Sequence, residues 1–273
     1  MSAWSNGIVI RTILPELICA EEYHDSTAVA PPAGVIDALY NRRRFLMSMN
    51  DDWSALVTHY ERCLERHGAT PEGVDWPNAP DLAVRFDILL GLLDGASTEP
   101  RPVVLDLGCG PGLLLDYLKA TGRLETVEYR GIDLSPAMVV AARARWPDRD
   151  FSCRDVVNNP LPEQSVDYVI MNGVLTEKQT LSHEVMTALA KELIGAAFAA
   201  ARVGIAFNAM SRHVDWQRPE LFHWGFDELA AFLRERVSRH YAFRSDYGLY
   251  EHTTFVWRAP RRPPALPHGW CTT

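Results

Sequence analysis

The second half of the chain alternates short apolar runs with segments of helical period. Val103–Leu107 is an apolar run of strand length, the mark of a strand buried on both faces. Further strands are expected at Glu128–Leu134, Phe151–Arg154, Val166–Asn172 and Val203–Met210. Helices are expected between them at about 112–121, 136–146 and 182–201, with another at 226–238. In the longest of these, Val185, Met186, Leu189, Leu193, Ile194 and Phe198 keep helical register behind Ser182. Strand-then-helix alternation predicts a parallel sheet wound on both faces. The last two strands, about 240–245 and 250–258, are too close for a crossover helix and must run antiparallel.

The first third reads differently. Residues 1–33 look irregular, with strand character at Gly7–Ile13 and a Pro31-Pro32 break. Helices are expected at 34–48 and 51–67, with Asp51 as N-cap and Gly68 at the C-terminal end. A turn-rich loop spans 70–80, and a helix at 80–94 aligns Leu82, Phe86, Leu89, Leu90 and Leu93. Residues 1–95 are therefore expected to form an extension and helical cap, residues 96–260 the main domain, and the proline-rich 261–273 a loose tail.

Composition narrows the partners. The formal net charge of −8 argues against a nucleic-acid backbone as ligand, which calls for a basic surface. The Arg42-Arg43-Arg44 cluster reads first as a solvated helix face and second as a contact for an acidic substrate. Cysteines at 19, 63, 109, 153 and 271 form no CxxC pair, and a chain of 273 residues needs no disulfide framework. The start lacks the basic region and unbroken apolar core of a signal peptide, and no run reaches membrane-spanning length. A cytoplasmic protein without membrane association is expected, with homodimer formation left open.

The chemistry concentrates in "VLDLGCGPG", residues 104–112. Its glycines, Gly108, Gly110 and Gly112, miss the dinucleotide spacing, which would want glycine where Leu113 stands. There is no phosphate-binding GxxxxGK[ST] either. Asp106 adds negative charge at the strand's carboxyl end, which suits an ammonium rather than a phosphate. Asp133 ends the next strand, where an acid takes ribose hydroxyls. Asp155 follows the third, within reach of an exocyclic amine. Ammonium, ribose and adenine in that order describe S-adenosylmethionine.

The stretches "VVLDLGCGPGLLLDYL", "YRGIDLSPAMVVAAR" and "CRDVVNNPLPEQSVDYVIMNGVL" resemble the class I S-adenosylmethionine-dependent methyltransferases over roughly residues 100–260. The resemblance implies an α/β fold: a Rossmann-like, doubly wound, mostly parallel seven-stranded sheet with an antiparallel last strand. It also implies roles for individual residues. Asp106, Gly108, Cys109 and Gly110 would line the methionine end, and Asp133 would hold the ribose. Leu134 and Met138 would sandwich the adenine, Asp155 and Val156 would read its edge, and Asn172 with Gly173 would lie beside the sulfonium. Arg85 is a candidate partner for the cofactor's carboxylate.

Catalytic groups are expected in the loops after the fourth and fifth strands. These offer Glu177, Lys178 and His183, then Ser211, His213, Asp215 and Trp216, with His223 beyond. His213 is the foremost base candidate, oriented by Asp215, with His183 and Glu177 behind it. No metal is expected: His183-Glu184 lacks the second histidine of a zinc helix, since position 187 is Thr187. The expected reaction is methylation of an oxygen or nitrogen of a small molecule, in bacterial secondary metabolism or surface-sugar biosynthesis. The alternative is intramolecular cyclisation of the cofactor with release of methylthioadenosine, of the azetidine-2-carboxylate type. A non-catalytic binding subunit is a third reading.

Overall fold

The computed structural model describes residues 54–261. The expected elements before residue 54 and the tail from 262 lie outside the described residues. Helix α1 occupies 54–67 and ends at Gly68, whose N–H bonds back to Leu64. Then come α2 (Ala79–Leu90), β1 (Val103–Leu107), α3 (Leu113–Ala120), β2 (Glu128–Asp133), α4 (Pro136–Arg145), β3 (Asp150–Cys153) and β4 (Val166–Leu175). The chain continues through α5 (His183–Ala200), β5 (Ala201–Ser211), β6 (His223–Trp224), α6 (Phe226–Arg236), β7 (His240–Arg244) and β8 (Glu251–Trp257).

The sheet order is β3-β2-β1-β4-β5-β8-β7. Strands β1 to β5 pair in parallel, and β8 runs antiparallel to both neighbours. A crossover between strands needs a helix and a closing hairpin does not, so the chain's spacing dictates this mixture. To the seven expected strands the structure adds an eighth, the two-residue β6, which pairs with the end of β5.

Both faces of the sheet are covered. Val104, Ile170 and Ala206 pack with α2, α3 and α4. Their sequence neighbours Leu105, Val169 and Ile205 pack with α5 and α6. Successive side chains alternate across a strand, so these strands carry apolar residues on both faces through their centres. Helix α5 is started by Ser182, whose hydroxyl accepts from the Val185 N–H at 3.2 Å. Within the expected cap, α2 buries Leu82, Phe86 and Leu89 in the sheet layer beside β1 and β4. The segment expected as one helix at 80–94 is α2 followed by a tight turn at Gly91–Leu93.

Candidate active site

The carboxyl ends of β1, β2 and β4 open into a cleft enclosing about 990 Å³, its open mouth included. Parallel strands leave their carboxyl ends side by side, and the ligand of an open α/β sheet lies there. Helix α1 and the loop at 72–76 form the facing wall, with Tyr60, Val74 and Trp76 on its surface.

The glycine loop leaves β1 at Leu107. The N–H groups of Gly108 and Cys109 both bond the Ile132 carbonyl, at 2.7 and 3.1 Å, which ties the loop to β2. Gly108 has φ +81°, and a Cβ there would stand 2.3 Å from a methyl of Val174. Backbone conformation and the neighbouring chain thus require this glycine before any ligand is considered.

Asp133 stands at the end of β2. Its two carboxylate oxygens accept from the N–H groups of Gly110 and Ser135, both at 2.8 Å. Removal from water nevertheless pushes its pKa above the usual carboxylate range, with the nearby Glu61 adding to the effect. The Ser135 hydroxyl caps α4 through Met138 N–H at 3.2 Å and donates to Glu61 of α1 at 2.6 Å. One serine therefore starts a helix and holds α1 across the cleft.

Leu134, Met138 and Val156 give the cleft an apolar end. Asp155 borders it, its Oδ1 accepting from Val157 N–H at 2.9 Å and Asn158 N–H at 3.1 Å. At the other end, β4 bulges out of register with β5 between Met171 and Leu175. The bulge turns Asn172 and Gly173 into the cleft. Gly173, at φ +78°, donates its N–H to Asn208 Oδ1 at 2.8 Å. The Asn172 Oδ1 is buried without a hydrogen-bond partner. A buried acceptor of this kind costs about 1–3 kcal/mol unless something donates to it.

Nine of the twelve residues implied as cofactor contacts line the cleft: Gly108, Gly110, Asp133, Leu134, Met138, Asp155, Val156, Asn172 and Gly173. Three lie beneath or beside it. Asp106 is buried under the loop, accepting from the Tyr129 hydroxyl at 2.8 Å, and burial raises its pKa to about 7. The Cys109 side chain packs in the core. Arg85 donates through Nε to Glu251 at 2.9 Å, and its guanidinium stacks on Trp76 at 3.9 Å. Arg85, the candidate partner for the cofactor's carboxylate, does not line the cleft, and its Nε is held in this internal pair.

The catalytic candidates separate more sharply. Glu177 lines the cleft; burial and the neighbouring Asp75 raise its carboxyl to about 7. His213 and Asp215 are exposed and do not line it. Strand β5 runs on to Ser211 and pairs with β6, so the next turn lies over the start of α6, where His213 stacks on Phe226 at 5.3 Å. His183 begins α5, pairs with Arg212 and contacts the Phe222 ring; burial and Arg212 lower its pKa. The wall from α1, Leu56, Val57 and Tyr60, carries no mark in the sequence, because an amphipathic helix does not declare which surface it will cover. Trp76, an aromatic residue isolated in a turn-rich loop, was the available signal.

Comparison with known proteins agrees with this geometry. The profile of the methyltransferase domain family matches residues 104–194, from β1 into α5. A putative methyltransferase of Mycobacterium tuberculosis is 34% identical over 159 residues, 56% of this chain and 92% of that protein. A trans-aconitate 2-methyltransferase of Escherichia coli is 42% identical over 84 residues, so the chain matches only 32% of that enzyme's length. Among solved structures, an S-adenosylmethionine-dependent methyltransferase of Leishmania major shares the fold, with TM-score 0.55 at 14% identity over 77% of this chain and 85% of that one. With a glycine loop and an acid at successive strand ends, and a match to a relative along nearly its whole length, this chain belongs to the class I S-adenosylmethionine-dependent methyltransferases.

Proposed function

We propose that the cleft methylates an oxygen or nitrogen of a small molecule held between the β4 bulge and the α1 wall. The setting suggested by the sequence resemblance is bacterial secondary metabolism or surface-sugar biosynthesis. The observation that carries the reading is Asn172, a residue of the cleft lining whose Oδ1 is buried and unpartnered within the protein. Asp133 would accept from the ribose hydroxyls through its free lone pairs, and the faces of Leu134, Met138 and Val156 suit a flat apolar adenine. Asp155 would take the exocyclic amine. These acceptors and surfaces fit S-adenosylmethionine. Bound there, it supplies a methyl group on a sulfonium, a carbon already activated for displacement.

The protein's own part is to hold the acceptor, exclude water and accept a proton. Tyr60, Val74 and Trp76 form the enclosing wall, and Glu177 reaches the cleft from the loop after β4. Its carboxyl accepts a hydrogen bond from the acceptor's O–H or N–H and orients the lone pair. Among the described catalytic candidates, Glu177 alone lines the cleft, which supports this role.

The test is product analysis. The full chain is incubated with methyl-labelled S-adenosylmethionine, with and without a small-molecule extract. The expected result is S-adenosylhomocysteine and a labelled acceptor, both dependent on the extract. Methylthioadenosine formed from the cofactor alone would overturn the reading in favour of cyclisation.

A further inference from the structure

A group of side chains on the acceptor wall is brought together by the fold and by no spacing in the sequence. His59 and Cys63 lie four residues apart on α1 and share one face. Asp75 sits in the left-handed region at φ 60°, closing the tight turn at Glu72–Val74. Aspartate is among the residues that tolerate this conformation, and here it places its carboxylate 2.8 Å from His59 Nε2. Cys63 Sγ is 3.9 Å from the same nitrogen, and one ligand atom from each of the three lies within 4.8 Å of the others. Glu177 Oε2 stands 3.5 Å from His59 Nε2 on the cleft side.

We propose that His59, Cys63 and Asp75 bind a divalent transition-metal cation of the zinc class, with the fourth position open to an acceptor oxygen. One imidazole, one thiol and one carboxylate form a mixed N, S, O set. Such a set selects zinc-like cations over calcium or magnesium, which take oxygen ligands. Bonds of about 2.0–2.3 Å in a tetrahedron put ligand atoms roughly 3.3–3.7 Å apart. The thiol and imidazole are already near that separation. The His59–Asp75 pair must open by about half an ångström, within reach of a side-chain rotation at this half-exposed site. Arg66 also faces Cys63, and its Nε donates to the Arg62 carbonyl at 3.0 Å. On binding, the thiol releases its proton to solvent. Three protein ligands and a fourth position turned to the cleft are the pattern of a catalytic zinc rather than a structural one. A cation there would polarise an acceptor oxygen or fix its orientation.

The site is tested on the full chain without cofactor or acceptor, so its failure leaves the methyltransferase reading untouched. Metal-free protein is titrated with cobalt(II), then with zinc(II). One equivalent of cobalt should bind with intense tetrahedral d–d bands and a thiolate charge-transfer band, and zinc should displace it. Cys63→Ser should lose the charge-transfer band, and His59→Ala should weaken binding by more than about tenfold, the effect that even an outer partner of a metal ligand produces. Asp75→Asn, a conservative change near the surface, should weaken binding likewise and decides the matter if either of those variants fails to fold. Absence of stoichiometric binding, or binding that survives these substitutions, would overturn the proposal.

Discussion

Arg85 and Glu251 form a buried ion pair, Nε to Oε2 at 2.9 Å, between α2 and the first residue of β8. The pair belongs to a chain of polar contacts that ends in the active site. Glu251 Oε1 accepts from Asn208 Nδ2 at 3.1 Å, and Asn208 Oδ1 accepts from the Gly173 N–H. On its other side Arg85 supports Trp76, which lines the cleft. Two adjoining parts of the cleft, the β4 bulge and Trp76, whose ring stands against Gly173, therefore rest on one buried charge pair.

Removing Arg85 leaves Glu251, whose side chain is 0% exposed, without its countercharge. Arg85→Ala should destabilise the protein by about 3–5 kcal/mol, read as a shift of the urea midpoint. The joint replacement Arg85→Met with Glu251→Gln should cost clearly less, because no charge is left stranded. Equal losses in the two proteins would show that packing on Trp76, rather than charge, matters here.

Asp133→Ala removes the acceptor proposed for the ribose and also frees the N–H groups of Gly110 and Ser135. Affinity for S-adenosylmethionine should fall by the equivalent of about 2–4 kcal/mol. Isothermal calorimetry decides it; a loss under threefold would remove Asp133 from the binding role.

Glu177→Gln keeps the shape of the side chain and weakens its power to accept from the acceptor. Loss of a hydrogen bond to a charged group, worth about 1.5–3 kcal/mol, should lower kcat/KM for the acceptor roughly 10- to 100-fold. Cofactor affinity should stay within a few-fold. His213→Gln, remote from the cleft, should leave the same rates nearly unchanged. The opposite ranking would return the base role to the β5 loop.

Asp106 links stability to pH. Burial raises its folded pKa to about 7, against an ordinary value of 3.8. Below about pH 4 the carboxyl is protonated in both states. Between there and neutrality the unfolded chain releases a proton that the folded chain retains, so stability declines as pH rises. The loss is complete above the folded pKa and amounts to a few kcal/mol. Asp106→Asn stays uncharged throughout, so the melting temperature of the ligand-free protein should fall less between pH 5 and pH 8, an interval roughly spanning the titration.

Features written in short, local signals were legible in the sequence. The strand Val103–Leu107 coincides with β1 because a strand covered on both faces is apolar on both, with Asp106 the exception near its carboxyl end. The strand-end acids Asp133 and Asp155 follow from strand positions, whereas the lining residues Leu134, Met138, Val156 and Asn172 were implied by the resemblance to the methyltransferases; all six line the cleft. Period and spacing alone place the strands along the chain and make the closing pair antiparallel, while their order in the sheet came from the structure. The tertiary structure decided where side chains go once they leave those ends. His213 and Glu177 both follow strands that end at the same sheet edge. The longer run of β5 and its pairing with β6 send His213 over α6, while the loop after β4 returns Glu177 to the cleft. Arg85 meets Glu251, and His59 meets Asp75, because helices pack where their apolar faces fit, and a polar partner across that contact leaves no mark in either local sequence.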